Sequence, residues 1–264
     1  MARVRYISSM ALATIVAIGC GGSKPQEASA KTESAAPRPL AESSAASAPA
    51  ASGSATIRGS VKFAGSAPAA QKIKMDADPV CQQRHATPVT SEEVVVNGNG
   101  TLKNVFVYVK DGVSGTYPAP TTPAVLNQVD CWYQPHIVGI QVDQPFELVN
   151  NDSTLHNINA KPTINQPFNV AQPTKGMKTT KKFSKPEIMI KFKCNVHPWM
   201  SAYAGVVSHP FFGVSDETGA FTISGLPAGT YTLEAWHEKY GTTTQQVTVA
   251  DGATASVDFT FAAH

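Results

Sequence analysis

The sequence predicts an all-β protein: two β-sandwiches in succession, preceded by a segment that does not fold on its own. Three observations predict it. No amphipathic helical stretch occurs after residue 55. Short runs of alternating apolar and polar residues recur instead, bounded by Gly, Pro, Asn and Asp. About 210 residues follow position 54, enough for one large or two small β domains.

The N-terminus is a different kind of sequence. Arg3 and Arg5 precede the apolar run "ISSMALATIVAIG", with no acid between them. That run falls short of the roughly 20 apolar residues a spanning helix needs, so residues 1–19 read as an export signal. It stops at "AIGC", which resembles the lipobox of bacterial lipoproteins. The resemblance implies cleavage before Cys20 and a lipid anchor on that cysteine. It implies a place on the periplasmic side of the outer membrane or at the cell surface, since Gly21 is not the aspartate of inner-membrane retention. An ordinary secretory signal is the alternative. Residues 20–54 are rich in Ala, Ser and Pro, with Leu40 as the one large apolar side chain, and read as a disordered tether. Without residues 1–19 the chain carries 19 basic and 19 acidic side chains. That balance gives no reason to expect a nucleic-acid partner.

The strand candidates follow in order. "TIRGSVKF" (56–63), "EVVVNG" (93–98) and "LKNVFVYVKDG" (102–112) alternate and end on turn residues. They are expected to form an N-terminal β region, 55–135, packed on a central domain. "HIVGIQVDQPFELVNND" (136–152) reads as two strands about an Asp143–Pro145 turn, followed by "MKTTKKFS" (177–184) and "EIMIKFKC" (187–194). These place a central core at 136–205. The remainder, 206–264, contains "DETGAFTISGLPAGTYTLEAWHEKYG". Through Gly219, Phe221 and the "GLPAGTY" turn it resembles the carboxypeptidase-regulatory-like, or prealbumin-like, β-sandwich modules. That group implies an accessory module, and some related sandwiches bind carbohydrate. Trp236 and His237 are the candidates for such a site, with packing on their own sandwich as the plainer reading.

The chemistry concentrates in "KFKCNVHPWMSAY" (191–203). Ile188, Ile190, Phe192 and Cys194 alternate with Met189, Lys191 and Lys193, so the cysteine points to the apolar side. His197 and Met200 follow in a loop able to fold back over the strand end. A structural zinc site wants four nitrogen or sulfur ligands, usually with a second close pair, and none is here. A c-type haem wants Cys-x-x-Cys-His, and a dinuclear copper centre two loop cysteines. A mononuclear blue-copper site wants two imidazoles, a thiolate and a weak thioether, which leaves one histidine to be found.

"NNDSTLHN" (150–157) supplies it. With "CNVHPWM" some 40 residues on, this resembles the cupredoxin family, nearest its amicyanin-like and plastocyanin-like members. The resemblance implies a Greek-key sandwich holding one type 1 copper ion through His156, Cys194, His197 and Met200. It implies that Asn157 braces the ligand loop, and that Pro198 and Trp199 form an apolar docking patch beside the ligand nearest solvent. It also implies one-electron transfer with a redox protein rather than catalysis. No Ser/His/Asp set, paired carboxylates or phosphate loop points to an enzyme. With Cys194 taken as ligand and Cys20 as anchor, Cys81 and Cys131 are left to pair in an oxidising compartment. The rival is a second metal site made with His85 and His136. Two other functions stay open: a surface lipoprotein binding carbohydrate or protein, and copper storage or delivery.

Overall fold

The computed structural model describes residues 53–263 except Ala77. The expected export signal, Cys20 and the tether up to residue 52 lie outside them. In chain order the elements are β1 (Ala55–Ala64), α1 (Pro79–Arg84), β2 (Phe106–Asp111), β3 (Ala124–Val129), β4 (Trp132–Gln134), β5 (Ile137–Gln141), β6 (Phe146–Asn150), β7 (His156–Lys161) and β8 (Phe168–Gln172). Then come β9 (Lys178–Lys181), β10 (Glu187–Lys193), β11 (Ser201–Val207), β12 (Phe212–Val214), β13 (Ala220–Leu226), β14 (Gly229–His237), β15 (Gly241–Val249), β16 (Thr254–Ser256) and β17 (Phe259–Ala262). The described residues are all-β apart from the turn-and-a-half of α1.

Two sandwiches result. In the central one a five-stranded sheet, β5-β11-β10-β7-β8, faces a four-stranded sheet, β4-β3-β6-β9. Alternation sets its core: Leu126, Phe146 and Leu148 from one sheet meet Ile140, Ile158, Ile190, Phe192 and Val206 from the other. In the terminal sandwich one sheet is β13-β1-β16 with β17 also paired to β1, and the other is β12-β2-β14-β15. Ile57, Val61 and Phe63 of β1 point into that core beside Phe221, Ile223 and Phe259.

This pairing divides the chain differently from the sequence expectation. Residues 55–135 do not form one region packed on the central core. β1 runs antiparallel to β13 and parallel to β16 and β17, and β2 pairs with β12 and β14. β3 and β4 instead pair with β6 and each other in the central sandwich. The physical reason is strand supply. β13 and β14 alone would leave an apolar face and open edges, and β1 and β2 close both.

The sandwiches meet along strands buried on both faces. In β2, Val107 and Val109 enter the terminal core, while Phe106 and Tyr108 turn toward Ile137, Tyr203 and Val207 of the central sandwich. Gly139 and Gly205 are register partners on β5 and β11. A Cβ on Gly205 would sit 2.4 Å from the Phe106 ring, and one on Gly139 2.1 Å from the Phe212 ring. Two glycines side by side therefore make the recess that two phenylalanines fill. Trp236 packs in the same seam, its ring 5.1 Å from Tyr203. His237 is buried among Tyr240 and Phe261. Both side chains expected as sugar-site candidates are taken up by packing.

Candidate metal centre

Three strand ends bring the nominated residues together. β7 opens on His156, β10 runs out into Cys194, and His197 and Met200 lie in the loop that returns to β11. That loop is fixed by its own backbone: Met200 N–H donates to the His197 carbonyl at 2.9 Å, and Cys194 N–H to the Met200 carbonyl at 3.2 Å. Asn157 ties the loop to β7. Its Oδ1 accepts from the Asn195 N–H at 2.7 Å and lies 3.5 Å from Cys194 Sγ. The Tyr133 hydroxyl donates to the Asn157 carbonyl from the opposite sheet.

His156, Cys194, His197 and Met200 are all essentially buried, the most exposed being Cys194 at 3%. The Nδ1 atoms of His156 and His197 face each other at 2.9 Å, and Cys194 Sγ lies 3.7 Å from His197 Nδ1. A nitrogen from each ring and the sulfur fall within 4.8 Å of one another. Met200 shares the apolar cluster of Cys194. The His197 N–H also points to Cys194 Sγ, at 3.4 Å.

Each histidine is held from behind by a carboxylate. His156 Nε2 lies 2.8 Å from Asp152 Oδ2, and His197 Nε2 2.8 Å from Asp78 Oδ2. A carboxylate on Nε2 fixes the ring's orientation and turns Nδ1 toward the centre of the cluster. Asp152 does more than this. Its two oxygens also accept from the N–H groups of Asp130 and Cys131, each at 2.8 Å. Those residues make the two-residue β3–β4 turn, both at positive φ (53° and 58°), where Asn-Gly is the usual pair. One buried side chain thus holds a turn that disfavours its own residues and aims His156.

Electrostatics follow from this packing. Burial pushes the Cys194 thiol up, but His156, His197 and the backbone N–H groups of Asn157 and His197 more than reverse it, leaving it at about 5. Burial pushes His156 down, and the Asp152 carboxylate and the Cys194 sulfur outweigh it, raising the imidazole above its ordinary value. His197 behaves likewise, with Cys194 and Asp78 opposing the cost of burial. The cluster is an anionic sulfur between two imidazoles, each backed by a carboxylate.

The centre is roofed over. α1 starts at Asp78, whose carboxylate caps it by accepting from the N–H groups of Val80 and Cys81. Cys81 and Cys131 form a disulfide, and Cys81 Sγ lies 3.6 Å from His197 Nε2. That bond excludes the alternative site of two thiolates and two imidazoles. His85 Nε2 instead meets the Asp130 carbonyl at 2.7 Å, and His136 Nε2 meets Glu238 at 2.7 Å. Trp199 packs under the same roof with Met75, Cys81 and Cys131, donating from Nε1 to the Cys131 carbonyl at 3.1 Å. Its ring centroid is 5.0 Å from that of His197. Pro198 stays exposed, but His197 is only 1% exposed. The open apolar patch expected around a solvent-facing histidine is therefore closed by residues 73–89.

Asp78 and Asp152 are the residues that sequence reasoning missed. Asp152 stands four before His156 inside "NNDSTLH", and Asp78 precedes Pro79, the signal of a helix N-cap with proline in the first turn.

The family model of the carboxypeptidase regulatory-like domain matches residues 208–262. No curated protein matches the chain. Among solved structures, a copper-containing nitrite reductase from Thermus scotoductus SA-01 is similar over 38% of this chain, at 22% identity and a TM-score of 0.28. The chain covers 25% of that reductase. A purple cupredoxin from Nitrosopumilus maritimus is similar over 32% of this chain and 97% of its own, at 22% identity and a TM-score of 0.27. A reduced amicyanin variant is similar over 31% of this chain and 79% of its own, at 15% identity and a TM-score of 0.28.

Proposed function

We propose that the protein is a type 1 copper protein that exchanges single electrons with a protein partner. One observation carries this reading: a nitrogen from each of two imidazoles and a buried cysteine sulfur converge within 4.8 Å, with both Nε2 atoms already engaged by carboxylates. Soft thiolate and thioether donors with two imidazoles suit copper in both oxidation states. His156, Cys194 and His197 would hold the ion, and Met200 would be the weak axial donor. Bound copper would supply a one-electron couple. The chain's own part is to keep the donors in place and exclude water. Asp152 and Asp78 orient the rings, Asn157 and the loop carbonyls fix Cys194, and the α1 roof shields His197. With four protein donors no position is left for a substrate, which favours electron exchange over catalysis.

Adding Cu(II) to the copper-free protein should give an intense thiolate-to-copper absorption in the visible. Cys194→Ala should abolish it. An unchanged band in that variant sinks the assignment. Fast reversible one-electron voltammetry separates a carrier from a storage or delivery protein, which would hand copper to a chelating acceptor instead.

The anchoring reading belongs to the same proposal. An exported chain meets the oxidising conditions in which Cys81–Cys131 persists. Lipid on Cys20 would place the centre at a membrane surface. Cys20→Ala should move the protein from the membrane to the soluble fraction, and retention of the variant in membranes would refute lipid anchoring.

A further inference from the structure

Lys161 on β7 and Lys191 on β10 stand directly opposite each other in antiparallel register, and Lys193 opposes Asn159 next along. All three alternate outward, since Ala160, Phe192 and Cys194 between them point into the core. Like charges directly opposite destabilise a strand pair. Among the described residues none of the three lysines has an ion-pair partner. Lys191 instead extends over the Tyr203 ring, 5.0 Å from its centroid.

The wider segment is biased the same way. Between positions 161 and 193 there are eight lysines and one acid, Glu187. Glu187 is buried and spent on Thr163 and Asn165, accepting from both residues. Past position 19 the chain has equal numbers of basic and acidic side chains. Of the eight, Lys178 and Lys181 lie on β9 in the opposite sheet and Lys178 pairs with Glu147, so the charge on this face is that of Lys161, Lys191 and Lys193. Its location is also specific. β7 begins at His156 and β10 ends one residue before Cys194, and Asn159 Nδ2 donates to Asn195 Oδ1 at 3.1 Å. The lysines ride on the two strands that carry the candidate ligands, with Lys161 and Lys193 exposed and Lys191 half-buried beside Tyr203.

We infer that the outward face of β7 and β10, centred on Lys161, Lys191 and Lys193, docks an acidic protein surface, that of the partner in electron exchange. The inference rests on the proposed copper function for the partner's role, but not for its charge. An acidic partner would neutralise the opposed lysines that the free protein leaves facing each other. It would also be steered to a sheet face that leads to Cys194 rather than to the roof over His197.

The test uses the full chain and the triple variant Lys161→Gln/Lys191→Gln/Lys193→Gln, with Lys62→Gln/Lys72→Gln/Lys74→Gln as a control of equal charge. Binding to poly-L-glutamate near 0.02 M ionic strength should weaken on the order of 10-fold in the first variant and less than 2-fold in the control, with the difference vanishing by about 0.5 M salt. In the copper-loaded protein, oxidation by hexacyanoferrate(III) should slow with salt in the wild type and lose that dependence in the first variant. Equal poly-glutamate binding by both variants overturns the inference. So does binding to phosphatidylglycerol vesicles that depends on these lysines while poly-glutamate binding does not, which would make the face a membrane contact. No electron exchange with any probe sinks the copper reading alone, because the poly-glutamate measurement needs no metal. Thermal stability of the first variant should equal or exceed wild type, since the opposed pair is gone.

Discussion

Asp152→Asn is the sharpest single probe of the centre. The carboxylate is 2% exposed and receives three donors, from Asp130 N, Cys131 N and His156 Nε2, each at 2.8 Å. A carboxylate offers only acceptors, and three donors fit its two oxygens. Asparagine keeps the shape but replaces one oxygen with an NH2 group. The donor then opposed is the Asp130 N–H if the NH2 stands at the Oδ1 position; both the Cys131 N–H and His156 Nε2 are opposed if it stands at Oδ2. Where a turn N–H is opposed, a buried group goes unpaired, at about 1–3 kcal/mol of folding stability. Where His156 is opposed, the ring must move its proton to Nδ1, the atom that faces His197. Loss of such a support costs roughly 10- to 100-fold in metal affinity, or about 1.4–2.7 kcal/mol. Competitive chelator titration of copper into both proteins reads the second cost, and denaturation of the copper-free proteins reads the first. Asp78→Asn should cost less, because its side chain is 17% exposed and water can replace it. Copper affinity of Asp152→Asn within 2-fold of wild type, in a folded protein of unchanged stability, would refute the reasoning.

Other consequences follow from the same geometry. Replacing Cys81 and Cys131 by serine opens a loop of 50 residues, which the chain-entropy relation values at about 4 kcal/mol; urea unfolding should show a loss of that order, and a shift under 1 kcal/mol contradicts it. Gly205→Ala puts a methyl group 2.4 Å from the Phe106 ring, so stability should fall by about 1–3 kcal/mol; a melting curve that matches wild type would mean the sandwiches do not meet as described. The Cys194 thiol at about 5 predicts that thiolate absorbance of the copper-free protein titrates near that value. Its pKa is depressed on folding from an unfolded value of roughly 8.5. The folded state therefore gains stability from it at and above that value and loses the gain as pH falls through about 5. A thiolate signal that appears only above pH 8 contradicts this.

How much the sequence discloses depends on the range of the interaction. The inward aim of Cys194 needs only the alternation of Ile190 and Phe192 before it, and a two-residue period is local. The convergence of His156 on the Cys194 loop spans about 40 residues, and motif spacing alone nominates it. The strand partners of β1 lie beyond any local pattern: Ile57 pairs with Ile223 and Ala255. Nothing in "TIRGSVKF" says which sandwich it completes, so the division at 135 and 136 misassigns β1 and β2. Asp152 was masked for another reason. Its neighbours Asn150, Asn151 and Ser153 make the segment read as a solvated turn, and polar turn residues look alike until a buried one is seen to hold a ring.

Asp78 joins the two failures and explains the form of the centre. It is local as a helix cap and long-range as a partner of His197, 119 positions away. One carboxylate therefore couples formation of α1 to the orientation of a candidate ligand, and the disulfide at Cys81 locks that arrangement to the turn held by Asp152. The two carboxylates reach the two histidines from opposite ends of one disulfide. The roof is thus part of what positions the imidazoles, rather than a lid laid over a site already complete. If the proposed copper centre is right, the roof removes an exposed histidine edge as the way in for an electron. The roof covers His197, whereas Lys161 and Lys193 on the ligand-bearing strands β7 and β10 stay exposed, and among the described residues neither has an ion-pair partner to offset the lysine pair set opposite each other there.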